Sequence, residues 1–144
     1  MKMVGATGGD FEFDHVGIAV TALQDASRFY SALGLKLGAA EEVPSEKVRV
    51  QMFNLNNNCR IELLEPTSPD STVARFLEKR GPGIHHICLR VSDIRETLKR
   101  LKSAGIRLIH DKPIRGAHNC EVAFVHPSAT GGVLIELSQP LEGH

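Results

Sequence analysis

Gly81-Pro82-Gly83-Ile84-His85-His86-Ile87-Cys88-Leu89-Arg90-Val91 reads as a strand entered from a tight turn, because a Gly-Pro-Gly breaker precedes an alternating apolar run. Phe13-Asp14-His15-Val16-Gly17-Ile18-Ala19-Val20 has the same form, a histidine followed by a short apolar strand that ends in valine. His15 and His86 lie 71 positions apart, and Val20 with Val91, Thr21 with Ser92 and Gly34 with Gly105 keep that offset. Arg60-Ile61-Glu62-Leu63-Leu64-Glu65-Pro66 then matches Leu134-Ile135-Glu136-Leu137-Ser138-Gln139-Pro140 at an offset of 74. The drift of three is one small insertion of the size a hairpin loop absorbs. Matches that recur in the same order indicate an internal duplication of about half the domain.

Each half predicts a strand, a helix and three further strands. In the first, residues 13–20 form the strand, and Thr21 with Gln24 resembles a capping box. Leu23, Ala26, Phe29, Tyr30 and Leu33 recur at helical spacing until Gly34 stops the helix. Residues 35–40, 47–54 and 59–65 supply the other strands, with Asn56-Asn57-Asn58 as a turn. In the second half, residues 84–91 form the strand and Asp93 with Glu96 the box. Ile94, Leu98 and Leu101 line the helix, and strands follow near residues 107–109, 121–125 and 133–138. Ser71 caps a short bridging helix carrying Val73, Phe76 and Leu77. The expected fold class is α+β: two paired βαβββ modules forming a curved mixed sheet, with helices outside and a metal-binding cleft inside. Residues 11–144 form a single domain, with modules at about 12–66 and 83–140, a bridge at about 67–82, and a flexible Gly-rich leader at residues 1–10.

At 144 residues and 42% hydrophobic, the chain is long enough to bury one core. A net charge of zero and a pI near 7.1 favour neither nucleic acid nor an anionic membrane as partner. No apolar run approaches the roughly 20 residues that span a bilayer, and residues 1–10 lack the apolar segment of a signal peptide. Cys59, Cys88 and Cys120 are odd in number and show no CxxC spacing, which points to a reducing cytoplasmic setting without disulfides.

Strand alternation sorts side chains by face. Val16, Ile18, Val20, Ile61 and Leu63 should meet the first module's helix, and Ile87, Leu89, Val91, Val133, Ile135 and Leu137 the second's. The opposite face then carries His15, Gly17, Ala19 and Glu62 from one half and His86, Cys88, Arg90 and Glu136 from the other. Two imidazoles and two carboxylates, His15, Glu62, His86 and Glu136, suit one divalent ion with open positions, whether cobalt, zinc, manganese or nickel. The oxygen share argues against a closed structural zinc site, where thiolates dominate. Alternation sends His85 to the helix side, as a structural residue or a supporting neighbour of the ligands. Cys88 reads as small filler. Arg90 either binds an anionic substrate group or pairs with a glutamate, and His110 and His144 read as solvent-exposed.

These stretches resemble the vicinal oxygen chelate (glyoxalase–bleomycin resistance) superfamily, and within it the methylmalonyl-CoA epimerases over about residues 12–140. His126-Pro127-Ser128-Ala129-Thr130-Gly131-Gly132-Val133-Leu134-Ile135-Glu136-Leu137, with Ser71-Thr72-Val73-Ala74, carries the epimerase likeness; the His and Glu pairs mark the superfamily alone. The resemblance implies a metal-dependent isomerase that inverts the α-carbon between the (2R) and (2S) forms of methylmalonyl-CoA through an enolate, with an acyl-CoA substrate and a homodimeric assembly. By similarity, Glu136 is both ligand and one base. Inversion needs a second acid/base on the other face of the planar intermediate. Val50 stands where some relatives place a glutamate, leaving Glu62, a bound water or Glu46 as candidates. The segment from Lys112 to Asn119 resembles the family's Gly-Ala-His loop, in which Lys112, Arg115 or His118 steers the CoA phosphates or the carboxylate, or is an ordinary solvated residue. Two other readings use the same scaffold: a glyoxalase I-type lactoylglutathione lyase, and a non-catalytic drug-binding protein of the bleomycin-resistance type. Aromatics at 5% with no tryptophan disfavour the stacking groove the latter needs.

Overall fold

The structure, a computed structural model, describes residues 11–141; the expected leader and His144 lie outside the described residues. The first module runs β1 (Phe11–Ala19), α1 (Leu23–Leu33), β2 (Glu41–Val43), β3 (Val48–Asn54) and β4 (Arg60–Pro66). Helix α2 (Thr72–Arg80) follows. The second module runs β5 (Gly83–Val91), α3 (Ile94–Ser103), β6 (Ile114–Arg115), β7 (Cys120–Val125) and β8 (Ile135–Pro140). The fold is therefore α+β and built from two βαβββ modules.

The chain divides into two compact units, one His15–His86, the other the residues up to Asp14 together with those from Ile87 onward. In the first, the strand order is β2-β3-β4-β1, with β1 parallel to β4 and β3 antiparallel to both its neighbours. In the second, the order is β5-β8-β7-β6, with β5 parallel to β8 and β7 antiparallel to β8 and β6. Each unit has its own core at matching positions. Val20, Leu23 and Leu63 with Phe53 fill one, and Val91, Ile94 and Leu137 with Leu98, Ala123 and Val125 fill the other. Burying a side chain of this size contributes about 1.5–3 kcal/mol, so the duplication repeats the sources of stability as well as the topology.

Several local expectations are corrected. Helix α1 begins after Ala22, which offers no side-chain cap, so Thr21 does not close a box. In α3, Asp93 Oδ1 does accept the Glu96 N–H at 3.0 Å, and Ser71 Oγ accepts the Ala74 N–H at 2.9 Å to start α2. The strands expected over 35–40 and 107–109 shrink to single bridges, Leu37 with Phe53 and Leu108 with Val125. The apolar spacing there serves the cores, which Leu35, Ile106 and Leu108 join, while the ladder rungs form later at β2 and β6. Val133 precedes β8 and is exposed, so it does not join Ile135 and Leu137 against α3. None of the three cysteines is in a disulfide. Among the described residues, no helix is long and apolar enough to cross a membrane.

Candidate metal centre

Three side chains converge inside the unit His15–His86. His15 Nε2 lies 3.1 Å from Glu62 Oε1 and 3.2 Å from His86 Nε2, and His86 Nε2 is 3.5 Å from the same Glu62 oxygen. All three residues are buried. Their placement follows from register: β1 runs beside β4 so that Gly17 pairs with Glu62, and alternation keeps His15 and Gly17 on the face away from α1. Gly17 makes the approach possible. A Cβ there would stand 2.2 Å from His86 Cε1 and 2.6 Å from each of its ring nitrogens. The imidazole of His86 therefore occupies the space a side chain would fill.

The orientation of His86 is set from behind. His85 Nδ1 and His86 Nδ1 are 2.9 Å apart and hydrogen-bonded, which leaves Nε2 of His86 facing Glu62 and His15. The His85 ring in turn packs edge-on against Phe76 of α2 at 5.0 Å between centroids, and Arg80 sits over Phe76. His85 thus packs on the bridging helix α2 and braces His86, an arrangement common behind the ligands of metal sites. Burial alone would push the Glu62 carboxyl upward, but the charges and hydrogen bonds of His15 and His86 outweigh it and hold Glu62 well below the usual carboxylate range.

These donors fit a divalent ion. Two ligand atoms at about 2.1 Å from one ion in adjacent octahedral positions stand about 3 Å apart, which is the spacing the three atoms show. A buried carboxylate between two imidazoles also supplies the charge and the borderline-hard donor set that such an ion prefers. His15, Glu62 and His86 accordingly form a cluster able to hold a metal.

Glu136 belongs to the other unit. It is buried on β8, paired with Cys88 of β5 and opposite Phe124 of β7. Cys88 is wholly buried, its Sγ 3.4 Å from Ser138 Oγ. Arg90, in the same unit, donates from Nε to Asp14 at 2.8 Å and from an Nη atom to Glu12 at 2.5 Å, so its guanidinium pairs with a glutamate, one of its two expected roles, and with an aspartate. Arg115 is exposed on β6, 3.4 Å from Asn119, and His118 is exposed in a left-handed turn with φ +60°. Val50 is buried on β3 opposite Leu64, and Glu46 sits in the β2–β3 turn. His110, expected in solvent, is instead half-buried, its ring anchored to β7. Sequence reasoning missed it because no motif includes it.

Comparison with known proteins agrees with this geometry. Residues 14–124 match the model of the Glyoxalase/Bleomycin resistance protein/Dioxygenase superfamily. The ethylmalonyl-CoA/methylmalonyl-CoA epimerase of Cereibacter sphaeroides is 43% identical over 129 residues, covering 88% of this chain and 96% of the relative. The human mitochondrial methylmalonyl-CoA epimerase is 41% identical over 140 residues, covering 96% of this chain and 79% of the relative. A solved methylmalonyl-CoA epimerase in complex with methylmalonyl-CoA and NH4+ superposes with a TM-score of 0.89 at 32% identity, covering 93% of this chain and 97% of that one. The chain therefore belongs to the glyoxalase/bleomycin resistance protein/dioxygenase superfamily and, within it, to the methylmalonyl-CoA epimerase family.

Proposed function

We propose that the chain is a divalent-metal-dependent epimerase, an isomerase that interconverts the (2R) and (2S) forms of methylmalonyl-CoA. The observation that carries this reading is the convergence of His15 Nε2, His86 Nε2 and Glu62 Oε1 at 3.1–3.5 Å in a buried site. Those three residues would hold the ion, and Glu136 would complete the set. Its support is register: Glu136 pairs with Cys88 as Glu62 pairs with Gly17, the same positions of the two modules.

When bound, a divalent ion supplies Lewis acidity for the negative charge that grows on the substrate oxygens as the α-proton leaves. Glu136 takes that proton on one face of the acyl group. Glu62 is held as a carboxylate by His15 and His86, so its proton affinity suits ligation better than delivery of a proton near neutral pH. The proton returned to the opposite face is assigned to solvent water, and the proton that Glu136 took passes to solvent to neutralise the hydroxide left behind. The ion is cobalt, zinc, manganese or nickel, and short α-branched thioesters such as ethylmalonyl-CoA fall within the same chemistry. We also infer a homodimer working in the reducing cytoplasm, where cysteines outside disulfides persist as thiols; light scattering on the purified protein checks the assembly.

Solvent deuterium incorporation at the α-carbon of methylmalonyl-CoA, run beside metal analysis, tests the reading. Wild-type protein should contain metal and exchange the α-proton, and Glu136→Gln should fold but lose exchange by at least about a hundredfold. Near wild-type exchange in that variant would remove Glu136 as the base. Metal without exchange in the wild type would favour the glyoxalase I-type lyase, and absence of metal the drug-binding protein.

A further inference from the structure

His110 stands outside every motif, yet it is fastened to the strand that faces Glu136. Its ring Nδ1 accepts the Phe124 N–H at 3.0 Å, while its own backbone N–H and that of Ile109 donate to the Phe124 carbonyl at 3.3 and 2.9 Å. Both peptide groups of Phe124 are thus satisfied by one short segment, and the imidazole leans on the Phe124 ring at 5.8 Å between centroids. Phe124 lies directly opposite Glu136 across β7 and β8, so the two side chains share a face. Ala123, Val125 and Leu137 take the other face, in the core with α3. Burial lowers the His110 pKa, and the Glu136 charge, near enough to act on the ring, opposes that shift without cancelling it. A neutral ring whose Nδ1 accepts carries its proton on Nε2. The offset of 71 puts Ala39 at the matching place in the first module, so the imidazole is an addition peculiar to the Glu136 half.

A residue that only completed the ladder would need Nδ1 alone. We propose that His110 is a substrate-binding residue: its Nε2–H donates a hydrogen bond to an acyl oxygen of the bound thioester, either the free carboxylate or the thioester carbonyl. The proposal rests on the epimerase reading for the identity of the ligand, and it gives the Glu136 side a neutral donor that orients the acyl group next to the base.

Asparagine places an amide oxygen where Nδ1 stood and keeps the Phe124 clamp, whereas glutamine places an amide near the position of Nε2. Calorimetric affinity for methylmalonyl-CoA reads the contact without turnover. His110→Asn should keep the wild-type melting temperature and bind about ten- to a hundredfold more weakly, the loss expected for a hydrogen bond to a charged or strongly polar oxygen. His110→Gln should recover affinity to within about threefold. Propionyl-CoA, which lacks the free carboxylate, separates the two acceptors: the Asn deficit disappears if the carboxylate is the partner and persists if the carbonyl is. Wild-type affinity in His110→Asn, or equal weakness in both variants, would overturn the proposal. So would a kcat loss with unchanged KM and a shifted acid limb, which would put the donor on Glu136 itself. A wild type that binds the thioester without α-exchange, with the Asn deficit intact, would overturn the epimerase reading and support this contact.

Discussion

Replacing Gly17 by alanine adds one carbon and two hydrogens at the most crowded point of the candidate centre. The new Cβ would lie 2.2 Å from His86 Cε1, about 1.2 Å inside ordinary van der Waals contact, and 2.6 Å from both ring nitrogens. The ring has no free direction of retreat within its unit. Its Nδ1 is bonded to His85 at 2.9 Å and its Nε2 stands 3.2 Å from His15 and 3.5 Å from Glu62. Overpacking of this kind costs about 1–3 kcal/mol, which for a chain of this length lowers the melting temperature of metal-free protein by about 3–9 °C. The effect on metal is larger, because ligand distances tolerate only about 0.2 Å and the ring must move several times that. Titration with cobalt or zinc should show affinity reduced by at least about a hundredfold. The sign is informative, since glycine within a strand is ordinarily worse than alanine by about 0.5–1 kcal/mol. Gly83 on β5 supplies the control: nothing lies within 4 Å of a Cβ built there, so Gly83→Ala should be neutral or mildly stabilising. Wild-type stability and metal affinity in Gly17→Ala would refute the claim that the His86 ring occupies that space in the working protein.

Three other outcomes follow from contacts around the same residues. His85→Phe keeps the packing on Phe76 but removes the nitrogen bonded to His86, so metal affinity should fall about ten- to a hundredfold. Glu62 has a folded-state pKa below its unfolded value, so its contribution to the stability of metal-free protein is present above about pH 4.3 and is lost as pH falls through the folded value. The stability difference between wild type and Glu62→Gln, followed by urea unfolding, should shrink as pH falls below about 4; a difference that grows over that range would contradict the assignment. Arg90→Met removes the guanidinium bonded to the buried Asp14 carboxylate and should cost about 3 kcal/mol, with Asp14→Asn recovering most of it in the double variant. An unchanged melting temperature with a raised KM would instead assign Arg90 to substrate binding.

The duplication was readable from residue types alone, because a histidine and a glutamate within short apolar strands are rare enough to mark matching positions. Alternation then sorted the faces correctly: Ile18, Val20, Ile61 and Leu63 pack in the α1 core, and His15 and Glu62 meet on the opposite side. The errors lie where one half was read without the other. Asp93 caps α3, and the offset of 71 leads to Ala22, not Thr21, so the repeat itself located the start of α1 more accurately than the capping pattern did. The same offset joins Leu37 to Leu108, the two single bridges, which explains why both short strands were misplaced in the same way. His110 was unreadable for a different reason. Its significance comes from a hydrogen bond to the backbone of Phe124, 14 positions away, and backbone partners leave no trace in side-chain patterns.

Departures from the repeat mark where the two modules take different roles. Position 17 is glycine in the first module, and its counterpart at 88 is a wholly buried cysteine, so only the first module opens space for a ring from elsewhere. The residue before His15 differs from the residue before His86. His85 fixes the orientation of His86, whereas its counterpart Asp14 is paired with Arg90 and ties β1 to β5. Met52 lies opposite Glu62, but Phe124, opposite Glu136, also receives the His110 clamp. Glu62 is thereby surrounded by imidazoles that keep it ionised, while Glu136 faces an aromatic ring and a neutral donor. A carboxylate in the first setting is suited to stay on a cation, and one in the second to exchange a proton with a substrate held beside it. Removing the second setting tests that division: His110→Ala combined with Phe124→Met strips Glu136 of the imidazole and of the aromatic ring opposite it, and α-proton exchange should fall more steeply than metal content. Equal losses of both would mean that the two carboxylates differ in name only.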